Sequence, residues 1–170
     1  MIKIGNNISE FSVYSCQPKT NKELEQIVDD RIEKEGNECD LNDIDTSLIE
    51  DMSWIFAESK FNGDISKWNT SKVKNMECMF HGSSFNGDIS RWDVSNVENM
   101  YRMFFCSLFF NQPIGGWDVS NVIDMKGMFQ ITDFNHDISN WKINKDCDTR
   151  KMFDHCLIKE EYKPKIFQLW

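Results

Sequence analysis

The apolar positions of this chain recur with a period far longer than that of a helix or a strand. Trp68, Trp92, Trp117 and Trp141 are spaced by 24, 25 and 24 residues, and Phe56, Phe80, Phe104, Phe129 and Phe153 by 24, 24, 25 and 24. Between them stand Phe61-Asn62, Phe85-Asn86, Phe110-Asn111 and Phe134-Asn135, followed by Ile65, Ile89, Ile114 and Ile138. Several columns held in one register are the mark of tandem units. A single unit has two apolar edges and can bury neither alone, so neighbours must stack Trp on Trp and Phe on Phe to close a core. Full burial of each such side chain contributes roughly 1.5–3 kcal/mol. The pattern predicts a short solenoid of about four coils.

Within the unit that runs from Phe85 to Phe104, Val97, Met100, Met103 and Phe104 fall near helical spacing and predict a short helical or 3₁₀ turn. Asp88 to Trp92 lacks that spacing and is read as a short strand with a bend at Trp92. The fold class expected is therefore an α/β repeat forming one domain over 1–170, with an amino-terminal cap over 1–52, tandem repeats over 53–153 and a carboxy-terminal cap over 154–170.

The caps follow from the need to cover raw apolar faces at both ends of a stack. Thr20-Asn21-Lys22-Glu23 has a capping-box pattern, Pro18 stands just before it and Gly36 at the far end, so a helix is expected over about 21–35. Its Leu24, Ile27, Val28 and Ile32 form one apolar stripe and leave Glu25, Asp29, Asp30 and Glu33 outside. Ile44, Ser47, Ile49 and Met52 align with Trp68, Ser71, Val73 and Met76 as a degenerate half-repeat. At the other end Met152-Phe153 opens a half-repeat that decays into Tyr162, Phe167, Leu169 and Trp170, a second lid. Ile2, Ile4, Phe11 and Val13 suggest a small amino-terminal strand pair.

The unit Phe-Asn-Gly-Asp-Ile-Ser-x-Trp-Asp-Val-Ser-Asn-Val-x-x-Met-x-x-Met-Phe, nearly intact from Phe85 to Phe104, resembles the repeat of the BspA-like leucine-rich-repeat surface-protein family over about residues 20 to 155. The resemblance implies a right-handed leucine-rich-repeat solenoid with one short strand per coil. It also implies non-enzymatic members, mostly bacterial surface or adhesion proteins, with no shared catalytic site.

Charge changes the picture at one end only. Residues 21 to 51 hold twelve acids against Lys22, Arg31 and Lys34, which accounts for the whole formal charge of −9, and the rest of the chain is balanced. Direct binding of nucleic acid through its phosphates is disfavoured. No apolar run of signal-peptide or membrane-span length is present, so a cytoplasmic protein is expected. Six cysteines without a Cys-x-x-Cys pair are read as free thiols.

The candidate sites are surfaces. Lys67, Arg91, Gly116 and Asn140 fill a slot that varies beside residues that do not, and Lys67, Arg91 and Asn140 with Asp64, Asp88 and Asp137 form a candidate partner-binding repeat face. Glu25, Asp29, Asp30 and Glu33 form a second candidate, an acidic cap suited to a basic partner. The Asn62, Asn86, Asn111 and Asn135 column is read as bonding neighbouring backbone. His81, His136 and His155 occupy different repeat positions, and neither paired catalytic carboxylates nor zinc spacing appears, so no catalytic residue, metal or cofactor is expected. The function expected is a non-catalytic protein-interaction module, monomeric or weakly dimeric. The alternatives are an intracellular inhibitor of a nucleic-acid-binding enzyme of phage or mobile-element type, acting through the acidic cap, and a bacterial surface adhesin fragment.

Overall fold

The computed structural model describes residues 14–168. The chain begins there with a short lead-in bridged in parallel to Ile44 at Cys16, and then forms helix α1, Asn21–Glu35. Thr20 supplies the cap, its hydroxyl accepting from the Glu23 N–H at 3.2 Å, while the Glu23 carboxylate reaches back to the Lys19 N–H at 2.7 Å. Gly36, at φ 91°, ends the helix with its N–H on the Ile32 carbonyl. Leu24 and Val28 are fully buried against the first repeat, and Asn21 anchors the helix start by donating to the Ser53 carbonyl at 2.9 Å.

From residue 37 the chain winds in units of 24 or 25 residues whose core is a set of stacked aromatic columns. Phe56, Phe80, Phe104, Phe129 and Phe153 follow one another with ring centroids 5.5 to 5.9 Å apart. Trp68 lies 6.4 Å from Trp92, and Trp117 6.4 Å from Trp141, in nearly parallel planes. Met52, Met76, Met100 and Met125 fill a further buried column. The columns read in the sequence thus meet in space as one continuous core.

The expected α/β leucine-rich-repeat-like solenoid is not what forms. Among the described residues there is one α-helix, two three-residue 3₁₀ turns (Glu160–Tyr162 and Lys165–Phe167) and no strand. In place of a sheet, adjacent units are joined by isolated parallel bridges, one series of which runs Asp51, Asn75, Asn99, Asp124, Asp148. Asp88 to Trp92, expected as a strand, is a turn closed by the Trp92 N–H on the Ile89 carbonyl at 3.1 Å, which buries Ile89 and Trp92 together.

Two local devices explain the absence of regular elements. The first is an Asx turn, in which an Asp or Asn side chain accepts from the N–H two residues on. It recurs at three places in most units, for example Asp64 to Ser66, Asn69 to Ser71 and Asn75 to Glu77, and at two in the third unit, where Pro113 replaces the first acid. The second occupies the stretch expected to be helical. There the N–H groups of Met76, Cys78, Phe80 and Gly82 donate to Asn99, Tyr101, Met103 and Phe105 of the next unit at 2.7–2.9 Å. Those of Met79, His81 and Ser83 turn back on Met76, Cys78 and Phe80. Sending alternate N–H groups in opposite directions requires left-handed backbone every four residues, found at Trp54 and Glu58, Cys78 and Gly82, Arg102 and Cys106, Gly127 and Ile131, and Lys151 and His155. A helix cannot pass through such positions, and a strand cannot start where an Asx turn bends the chain.

The carboxy-terminal segment closes the stack. The Tyr162 carbonyl accepts from the Ile138 N–H at 3.0 Å, and Phe167 packs edge-on against Phe153 at 5.0 Å. The strand pair expected from Ile2, Ile4, Phe11 and Val13, and the lid residues Leu169 and Trp170, lie outside the described residues. No helix among the described residues is long and apolar enough to cross a membrane, and the six cysteines are free.

Candidate interaction surfaces

The repeat face is built on the first Asx turn of the first, second and fourth units, Pro113 standing in that place in the third. Asp64, Asp88 and Asp137 accept from the N–H of Ser66, Ser90 and Ser139, each at 2.9 Å; the serine side chains at Asp88 and Asp137, and the Ser66 N–H at Asp64, do most to hold the three carboxyls below the usual carboxylate range. The acids are exposed, yet their first role is to fold the backbone. The turn presents the residue before each tryptophan outward. Lys67, Arg91 and Asn140 are accordingly exposed, and neither Lys67 nor Arg91 has an ion pair among the described residues. Ser66, Lys67, Asp88 and Arg91 line a depression of about 210 Å³, with Asp64 and Asp88 together in a neighbouring one. Asn140 lines a separate depression with Gly115, Gly116 and Lys142. The structure therefore joins the candidates of the first two repeats and leaves those of the last apart.

The asparagine column is consumed by the stack. The side-chain oxygens of Asn62, Asn86, Asn111 and Asn135 accept in turn from the N–H of Asn86, Asn111, Asn135 and Lys159 at 2.8–3.0 Å.

The acidic cap is the outer side of α1, where Glu25, Asp29, Asp30 and Glu33 are all exposed. Partial burial, followed by the neighbouring charges of Glu25 and Asp30, raises the Asp29 carboxyl above its ordinary value. Arg31 turns inward from this row, donating to both carboxylate oxygens of Asp43 at 3.0 and 3.2 Å, and fastens the helix to the first coil.

A third surface was not read from the sequence. Trp54, 51 % exposed, stacks on His81 at 5.9 Å, and His81 lies 4.9 Å from Phe105. Beside them the Arg102 guanidinium sits over Tyr101 at 5.2 Å and over Phe105 at 4.8 Å, and the Lys126 ammonium stands 6.0 Å from the Tyr101 ring. Burial pushes the His81 imidazole below its ordinary value, and Arg102 acts in the same direction against Glu58. These residues fall in three columns, Trp54 with Arg102, His81 with Phe105 and Tyr101 with Lys126, but the residue type in each changes from unit to unit, so no repeated side chain displays them. The only signal available was that aromatic and basic side chains stand there where the core columns do not need them. Among the described residues no three His, Cys, Asp or Glu side chains are placed to hold a metal ion.

A stack of Asx-turned units with aromatic columns inside and unlike side chains outside defines a tandem-repeat protein whose individuality lies on its surface. The chain belongs to the family described as Mycoplasma protein of unknown function, DUF285, which matches residues 22–131 and again 105–163. No curated protein and no solved structure matches the chain.

Proposed function

We infer that the protein is a non-catalytic interaction module that binds a macromolecular partner, a protein, through the outer surface of its stack. One observation carries this reading. The repeated side chains are spent on the fold, as core columns, Asx turns and the asparagine ladder, whereas Lys67 and Arg91 are exposed and form no ion pair among the described residues. Residues released from structural duty are the ones free to specify a partner. The repeat motif also supports kinship with the BspA-like surface proteins, whose members are mostly non-enzymatic adhesion proteins.

A second reading is favoured by the charge of α1. Glu25, Asp29, Asp30 and Glu33 suit a partner with a basic groove, such as an enzyme that handles nucleic acid, and would make the protein an inhibitor. An affinity pull-down from host-cell lysate tests both, using wild type, a variant changing Lys67, Arg91 and Asn140, and a variant neutralising the four acids. Loss of a partner only with the first variant supports the repeat face, and loss only with the second supports the inhibitor. A partner held equally by both variants would overturn both assignments.

A further inference from the structure

Arg102 and Lys126 are two cations held over one ring without a counter-ion. Neither side chain takes part in a hydrogen bond or ion pair among the described residues. Lys126 lies within electrostatic reach of Asp148, but that carboxylate is already engaged by Arg150. Stacking on Tyr101 and Phe105 limits the rotamer freedom that the guanidinium would lose on pairing. Next to these charges the rings of Trp54, His81 and Phe105 form a continuous aromatic line across three successive units. Trp54 ends that line, with half of its surface in water. Nδ1 of His81 is buried and has no hydrogen-bond partner among the described residues.

Exposed Trp beside Tyr and Arg is the composition of an interface hot spot, and such anchors cluster where a partner excludes water. A fold that leaves 51 % of an indole exposed at a left-handed backbone position gains little stability from it. We propose that this face, Trp54, His81, Tyr101, Arg102, Phe105 and Lys126, is a docking surface for a short acidic-and-apolar peptide segment of a partner protein, its carboxylates on Arg102 and Lys126 and an apolar side chain against Trp54. Charge complementarity selects this occupant. Two unpaired cations call for carboxylates, and the excess acid of the chain as a whole opposes a polyphosphate strand. This surface is neither the repeat face nor the acidic cap, so it stands or falls apart from those assignments.

The test is fluorescence anisotropy of a labelled peptide, acetyl-Glu-Leu-Glu-Phe-Glu-Leu-Glu-amide, against the full chain at low and high salt. The same peptide with Gln for every Glu and a short oligothymidylate serve as competitors. Binding is expected in the range of about 10–100 μM. It should weaken at least about tenfold for the Gln peptide, for Arg102→Gln with Lys126→Gln, and for Trp54→Asn, in which Asn retains access to left-handed backbone. The variant at Lys67, Arg91 and Asn140 should bind as wild type, and near-UV circular dichroism identifies any variant that has lost its packing. If Trp54→Asn fails that check, the charge pair alone decides. No binding up to about 1 mM, equal binding of the Gln peptide, unchanged affinity of the Arg102/Lys126 variant, or displacement by oligothymidylate would each overturn the proposal.

Discussion

The indole N–H of Trp92 donates to the backbone carbonyl of Ile65, one unit earlier, at 3.1 Å. Trp68, Trp117 and Trp141 make the same bond to Leu41, Ile89 and Ile114 at 2.9–3.2 Å. The column therefore favours tryptophan, because phenylalanine would fill only part of the space and lose the second bond to a carbonyl that also accepts from the backbone N–H three residues on. Trp92→Phe should lower the unfolding free energy by about 2–3 kcal/mol, against about 0.5 kcal/mol or less for Trp54→Phe on the surface, in parallel urea titrations. Equal costs would show that the bond adds nothing.

The left-handed column Glu58, Gly82, Cys106, Ile131 and His155 mixes glycine with residues that dislike that backbone. Ile131, β-branched at φ 58°, is the most strained of them. Ile131→Gly should raise the thermal midpoint, and Gly82→Val should lower stability by about 1–2 kcal/mol. Calorimetry of both variants decides, since destabilisation by both would mean that packing outweighs backbone strain here.

Asn86 accepts from the N–H of Asn111 at 2.9 Å and from the Gln112 amide at 3.0 Å. Acceptance is all that these bonds ask of it. Asn86→Asp should be nearly neutral at pH 7, while Asn86→Ala costs about 1 kcal/mol by chemical denaturation.

Asp64, Asp88, Asp118 and Asp137 are held below the usual carboxylate range by bonds from the serine two residues on, and bonds from Arg150 bring Asp148 down to about 2. A carboxyl with a depressed value in the fold stabilises fully above its unfolded value, near pH 4, and loses that contribution as pH falls through the folded one. The thermal midpoint should thus drop steadily from about pH 4 towards pH 2. A variant with Asn at the first four positions keeps the Asx acceptor and should show a flatter acid limb, whereas an unchanged limb would place the acid sensitivity elsewhere.

Burial pushes the Cys78 and Cys147 thiols up to about 11. Near neutral pH their thiolate fraction is about 100-fold below that of a free cysteine, so iodoacetamide should alkylate them only after unfolding, as read by peptide mass mapping. Rapid labelling of either in the native protein would contradict its placement.

What the sequence by itself determined is whatever repeats at a constant step or is local. The Trp and Phe columns could be read because stacking places residue i on residue i+24, and identical side chains then serve identical contacts. Helix α1 could be read because Thr20, Glu23 and Gly36 act within one turn of the residues they cap. Only the tertiary structure decided the backbone between the columns. Val97, Met100 and Met103 carry helical spacing, but the ladder to the next unit draws off alternate N–H groups, and the left-handed residues this demands, among them Trp54, Arg102 and Ile131, are not types that announce such backbone. It also decided which surface residues meet. Trp54 and Arg102 share one position of their units while His81 and Lys126 stand at two others, none marked by a repeated residue type, and the pitch of the stack brings their rings and charges side by side.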